Sequence, residues 1–381
     1  MEPQTETRHT MDNRLTAFLA SRKGIIVAGV VIGVIAPLLQ FAGNPANMGV
    51  CVACFERDTA GALGLHRAAP VQYIRPEIIA FVLGSLIAAF VFREFRARVG
   101  SAPIVRFVLG VFAMIGGLVF LGCPWRALFR LAGGDLNAVV GLVGLAVGVG
   151  VGVGFLKRGY SLGRSYRTHR SVGWIMPLIM VGLLALLVFE VKFTPGGPVF
   201  FSVKGPGSQH APIALSLIGG IVIGMLAQRT RFCTMGAVRD VLLMRDTHLL
   251  SGVAGLVVAA FAVNLILGQT AFGFAGQPVA HSSHVWNFLG MILSGLAYAL
   301  GGGCPGRQLI LSGEGDGDAG VFVLGMISGA AFAHNFALAG KPDRVVDGAV
   351  QVGGVGTAGM IAVGLGIVVC LTIGWSMRDE I

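Results

Sequence analysis

The sequence predicts an all-α, polytopic membrane protein of two inverted five-helix repeats with short re-entrant half-helices. Three observations carry that prediction. The 381 residues are 55% hydrophobic and 12% charged, with a mean hydropathy of +0.80, whereas a soluble domain carries about 25% charged residues. Nearly uncharged segments of 17 to 22 residues recur ten times along the chain, which is about the length that crosses a hydrocarbon core. Two cysteine-arginine motifs each occur twice, at one common spacing.

The ten segments fall near 24–42, 76–93, 104–122, 137–156, 173–191, 212–228, 247–268, 285–301, 317–337 and 355–376. Residues 1–23 form a polar tail with Arg8, Arg14, Arg22 and Lys23 ahead of the first apolar run. No small-residue cleavage site is evident, so a retained first helix is expected rather than a removed signal peptide. Residues 377–381 form a short C-terminal tail. The net charge of +10 does not point to nucleic acid, because the basic residues are scattered at the ends of apolar segments. The connections 93–103 and 157–172 are rich in Arg and Lys, while 269–284 has neither. Cytoplasmic loops carry that excess, which puts both termini in the cytoplasm of a bacterial or archaeal inner membrane, with lipid around the helices.

The repeats emerge from self-comparison. Cys51-Val-Ala-Cys54-Phe-Glu-Arg57-Asp58 matches Cys233-Thr-Met-Gly-Ala-Val-Arg239-Asp240 at an offset of 182 residues. Gly122-Cys123-Pro124-Trp-Arg126 matches Gly303-Cys304-Pro305-Gly-Arg307 at 181, and Gly134-Asp135 matches Gly315-Asp316. The units are therefore 24–191 and 212–376, joined by the linker 192–211. Five spans per unit is an odd number, so the second unit is expected to insert upside down. Inverted repeats are a frequent transporter plan, with the solute site at the midplane between them.

Pro124 and Pro305 suit the first turn of a new helix. Cys123 and Cys304 are then expected at the N-caps of half-helices, where orphan N–H groups favour an anion. Arg126 and Arg307, three residues on, are candidates for meeting that anion. Arg57–Asp58 and Arg239–Asp240 are read as structural ion pairs, because each Asp cancels a positive charge that an anion path needs. Cys51, Cys123, Cys233 and Cys304 are the expected substrate-binding thiols. Cys54 has no equivalent thiol, since Gly236 stands at its place, so it is read as an accessory or disulfide-forming thiol near the outer mouth. A lone cysteine such as Cys370 is a packing residue. No zinc site is expected, because no second cysteine pair or histidine pair accompanies the first, and nothing calls for another metal or a cofactor.

Asn44-Pro45-Ala46 has the form of the aquaporin signature but no counterpart in the second unit, so it is read as a turn. The 59 glycines are read as sites of close helix approach, and Gly301-Gly-Gly303 lacks the Gly-Lys-Ser/Thr of a nucleotide loop. His281, His284 and His334 are read as solvated or interfacial. Trp174, Trp286 and Trp375, at span ends, are read as interfacial anchors.

Taken together, Cys-x5-Arg-Asp and Gly-Cys-Pro-x-Arg in both halves resemble the YeeE/YedE family of sulfur-compound transporters. The run from Gly122 to Asn137 is similar to its YedE-like, selenium-associated branch. The resemblance implies an hourglass-shaped inner-membrane protein that passes thiosulfate or a selenium analogue along cysteines. By motif these are Cys51 and Cys123 toward the outside, and Cys233 and Cys304 toward the inside. It also implies a small cytoplasmic sulfur carrier of the TusA-like type as partner. The expected activity is transport, not enzymatic catalysis. Two alternatives stay open: a membrane sulfur or selenium transferase working through a cysteine persulfide, and a channel for a small neutral solute.

Overall fold

The computed structural model describes residues 14–191, 193, 196–347 and 349–378. Residues 1–13 of the N-terminal tail and 379–381 of the C-terminal tail lie outside the described residues. The first half contains α1 (Arg22–Phe41), α2 (Val52–Ala62), α3 (Pro76–Val91), α4 (Pro103–Phe120), α5 (Pro124–Ala132), α6 (Asn137–Leu156) and α7 (Arg170–Val188). The second half contains α8 (Ile213–Thr230), α9 (Thr234–Met244), α10 (His248–Ile266), α11 (His284–Gly301), α12 (Pro305–Gly313), α13 (Gly317–Asn335) and α14 (Thr357–Ser376). Among the described residues, ten spans are long and apolar enough to cross a membrane; each overlaps one of the ten expected segments, and three also take in the short helices α5, α9 and α12. The chain is a multi-pass membrane protein. Among the described residues, strands of two or three residues occur only as small antiparallel pairs, 98–99/166–167 and 344–346/349–351.

The backbone explains where α5 and α12 begin. Leu121 takes a left-handed conformation (φ 63°) and stops α4, and Pro124 restarts the chain as α5. Gly302 (φ 83°) stops α11 in the same way, and Pro305 starts α12. Pro at the first helical position loses no hydrogen bond, because that N–H has no intrahelical partner.

The long helices pair across the two halves: α1 packs on α10, α3 on α8, α6 on α11 and α4 on α13. Glycines set these contacts. Cβ atoms at Gly144 and Gly148 would run into the carbonyls of Phe288 and Ile292, so α6 and α11 lie in parallel at backbone contact. α4 and α11 cross in opposite directions: Gly116 faces Gly290, while Ser294 Oγ donates to the Ala113 carbonyl at 3.0 Å. Without a hydrophobic force between helices in lipid, such close packing supplies much of the association energy. Gly29, whose Cβ would overlap the Gly252 carbonyl, is a sharp test. Gly29→Leu is expected to separate α1 from α10 at a cost of at least about 1–3 kcal/mol, read as loss of monodisperse protein in detergent. Gly154→Ala, where a Cβ meets nothing within 4 Å, is expected to behave as wild type.

Apolar side chains such as Leu178, Val258, Ile361 and Val368 face outward, as lipid-facing helices require. The interior is unusual in its polarity. Every residue of α2 is buried, including Glu56, Arg57 and Asp58, and Arg75, Arg126 and Arg130 are wholly buried.

Candidate functional site: four cysteines at four helix N-termini

Each short helix begins on a cysteine. Cys123 and Cys304 occupy the N-cap positions of α5 and α12, as their following prolines predicted. Cys51 and Cys233 cap α2 and α9 as well, a role not visible in the sequence because no proline marks those starts. Cys51 Sγ accepts the Cys54 N–H at 3.3 Å, and Cys233 Sγ accepts the Gly236 N–H at 3.2 Å. Sulfur thus stands where Ser, Thr, Asp or Asn usually caps, and it carries a soft, polarizable atom into the positive end of the helix dipole.

The caps meet in pairs. Cys51 Sγ lies 3.8 Å from Cys123 Sγ, and Cys233 Sγ lies 3.7 Å from Cys304 Sγ. In each half, a residue from the first motif therefore meets one from the second, about 70 residues away. All six cysteines are free and buried. Cys54 is enclosed rather than placed at a mouth, and it forms no disulfide. Its Sγ approaches the Leu121 carbonyl at 3.9 Å, and Arg126 Nη1 approaches the same sulfur at 3.9 Å. Cys370 is buried in the hydrophobic core.

The two motif arginines differ. Arg126 is fully buried and spends its guanidinium on the carbonyls of Asn47, Pro278 and Val279 at 3.0–3.3 Å. No carboxylate among the described residues pairs with it. Arg307 faces Glu314 Oε1 at 3.4 Å, and Glu314 also takes Arg231 at 3.1 Å. The sequence treated the two arginines as equivalent, but position 314 corresponds to Gly133 in the first unit. The counter-charge is therefore a feature of the second half alone.

The Arg-Asp dipeptides do form pairs. Arg57 holds Asp58 at 2.6 Å, and Arg239 holds Asp240 at 2.8 Å. The sequence did not reveal Arg75, which takes the other oxygen of Asp58 at 2.7 Å. Arg75 also donates to the carbonyls of Pro206 and Gln209 at 2.7 and 2.8 Å, fastening the linker to α2. A second hidden pair, Arg130–Asp135 at 2.6 Å, closes the end of α5. Asn44 does more than make a turn: its amide bonds Glu77 at 2.8 Å and the Ala211 N–H at 2.9 Å. His281 is buried rather than solvated; its Nε2 lies 2.7 Å from the Val119 carbonyl, and burial lowers its pKa below the usual imidazole value. Trp174 and Trp375 are exposed at span ends.

A cavity of about 750 Å³ opens beside Cys233, lined by Arg229, Arg231, Arg239 and Arg307 with Glu94 and Asp240 among its acidic groups. It lies at the helix ends that carry Ala20, Glu94 and His248. Burial opposes the charge of Glu94, but Gln228, Arg229 and Arg231 hold its carboxyl below the ordinary range. The Glu94–Arg229 and Glu94–Arg231 contacts, 2.8 and 3.1 Å, accordingly join charged partners. No cluster of three His, Cys, Asp or Glu side chains suited to a metal ion occurs among the described residues.

Residues 229–380 match a protein-family model described as sulphur transport. The match takes in Cys233, Arg239, Asp240, Cys304 and Arg307; the first-half motifs lie outside it. No curated protein matches the chain. The second half is thus similar to sulfur-compound transporters.

Proposed function

We propose that the protein carries a small sulfur or selenium anion, thiosulfate or a selenium analogue, across the inner membrane between two inverted repeats. The single observation behind this reading is the pairing of four cysteine caps, Cys51 with Cys123 and Cys233 with Cys304, at Sγ–Sγ distances of 3.8 and 3.7 Å. A thiol is a weak donor and a soft partner for a terminal sulfur. Four weak stations let a solute leave as readily as it enters, which conduction requires. The helix N-termini supply positive potential without a fixed cation, and Arg126 adds an uncancelled one on the Cys51–Cys123 side.

The inverted arrangement is supported by the exchange of partners between equivalent helices, α1 with α10 as α8 with α3, and by the opposed crossing of α4 and α11. The basic connections support a cytoplasmic position for both termini and for the cavity beside Cys233. A small carrier protein of the TusA-like type would receive the solute there, and the arginines around that mouth suit an acidic or anionic cargo surface.

The test is uptake of thiosulfate, selenite and selenide-type compounds in parallel into sealed proteoliposomes, with the variant lacking all four cap cysteines as control. Uptake of a sulfur or selenium anion by the wild type alone supports the reading. A mass adduct trapped on Cys51 or Cys233 without flux would favour a persulfide transferase. Flux insensitive to competing anions would favour a neutral-solute channel.

A further inference from the structure

Two buried donors at the centre of the molecule have no hydrogen-bond partner among the described residues: Tyr298 Oη and Trp125 Nε1. Both residues are almost completely enclosed, at 0% and 1% exposure. Ser294, one turn back from Tyr298, donates its hydroxyl to the Ala113 carbonyl at 3.0 Å, and the Tyr298 hydroxyl makes no geometric hydrogen bond to it. Leaving an N–H or O–H unpaired in such a place costs about 1–3 kcal/mol, so two together call for an explanation.

Their positions supply one. Under the 181-residue offset Tyr298 corresponds to Gly117, and Trp125 corresponds to Gly306. Each aromatic also touches its own counterpart. A Cβ on Gly117 would lie 3.7 Å from Tyr298 Oη, and one on Gly306 would lie 3.0 Å from the Trp125 ring and 3.4 Å from its Nε1. Residues that touch their own symmetry equivalents lie on the symmetry axis. The axis between the repeats therefore runs past both donors and between Cys123 and Cys304, which are equivalents as well. Each half gives one large donor to the axis and a glycine opposite the other's, and at Gly306 a side chain would crowd the indole.

Cys123 and Cys304, equivalents under the same offset, flank that axis, and Glu56 is enclosed in the same interior. Both Glu56 oxygens are buried without a hydrogen-bond partner. An isolated carboxyl in such surroundings gives up its charge, so it does not repel an anion at the phenol. Trp125 is held from the other side by Phe81 and Phe232, with ring centroids 5.7 Å away in each case. Phe232 immediately precedes Cys233 in the chain, so the indole is braced against the second cysteine pair.

We propose that Tyr298 Oη–H and Trp125 Nε1–H form a central binding station for the oxygens of a sulfur or selenium oxyanion, between the two cysteine pairs. The station deepens the transport reading and rests on it. The cysteines offer soft contacts to a terminal sulfur or selenium, and the phenol and indole offer hard donors to oxygen. A solute with both ends, such as thiosulfate, satisfies both sets. Neither donor carries charge, so an anion passing the midplane is stabilised without being trapped.

Tyr298→Phe is the decisive variant because it keeps the ring and removes one unpaired hydroxyl. Thiosulfate uptake into proteoliposomes is expected to fall about ten- to a hundred-fold, the value of one hydrogen bond to a charged group. The thermal midpoint in detergent is expected to hold or rise, since the lost group is unsatisfied. Trp125→Phe is expected to lower uptake similarly, with some loss of stability from the smaller ring. Wild-type uptake in Tyr298→Phe, or a fall matched by a lower midpoint, would overturn the station. Retention of labelled thiosulfate by detergent-solubilised protein is measured alongside. A wild type that neither retains nor transports thiosulfate, selenite or a selenide-type compound overturns both readings, whereas a transporting wild type with unimpaired Tyr298→Phe overturns the station alone.

Discussion

Asp58→Asn is expected to prevent accumulation of folded protein, while Asp240→Asn, at the equivalent position of the second half, is expected to be tolerated. The two aspartates belong to one duplicated motif but live in different surroundings. Asp58 is fully enclosed and neutralises two cations at once, Arg57 at 2.6 Å and Arg75 at 2.7 Å, whose side chains are 3% and 0% exposed. Removing its charge leaves two buried guanidiniums without a carboxylate. Breaking one buried ion pair already costs about 3–5 kcal/mol, a large part of the ~5–15 kcal/mol that holds a typical domain. The damage also spreads, because Arg75 ties the 206–209 backbone and stacks over Phe55 at 4.4 Å. In the second half, Arg239 and Asp240 are 32% and 11% exposed, so water screens the survivor and the cost is about 0–1 kcal/mol. Thermal midpoints and detergent-soluble yields of the two variants check this. Equal behaviour would show that the motif's role is duplicated along with its sequence.

That contrast also marks what was legible in the chain and what was not. The ten spans were readable because lipid demands long uncharged runs, and the half-helices α5 and α12 because Pro124 and Pro305 announce a new first turn. The pairing of Cys51 with Cys123, and of Cys233 with Cys304, was only half readable. Duplication flagged the cysteines, but the meeting of residues about 70 positions apart depends on how α2 folds back beneath α4. The charge partners were hidden for a similar reason. Arg75 and Arg130 lie outside the repeated pattern, and Glu314 stands where the first half has Gly133, so self-comparison passed over all three. Trp125 and Tyr298 were missed because each is matched by a glycine. A search for what the repeats share cannot find residues whose place on the axis requires the two copies to differ.

The second large effect is expected at the cysteines themselves, where Cys123→Ser and Cys304→Ser should separate transport from folding. Serine is smaller than cysteine and caps a helix at least as well. Cys123 and Cys304 stand at N-caps followed by proline, so either hydroxyl can sit at the start of α5 or α12 without straining it. Stability should stay within about 0.5 kcal/mol of wild type. A hydroxyl is a hard, strongly hydrogen-bonding group, however, and it does not offer a terminal sulfur the polarizable contact of a thiol. The sulfur it replaces lies 3.7–3.8 Å from the remaining thiol of its pair, so the hydroxyl is near enough to be drawn toward that thiol. If the stations act in series, weakening one slows the whole passage. Losing about 1.4 kcal/mol at the slowest step lowers thiosulfate uptake on the order of ten-fold, and the double variant should not be much slower than the worse single one. Alanine at the same positions removes the thiol without adding a hydroxyl; neither side chain makes a capping hydrogen bond, so uptake should fall while the midpoint loses only the packing of the sulfur. Serine variants that transport at the wild-type rate would remove the thiols from the path and leave them as helix caps.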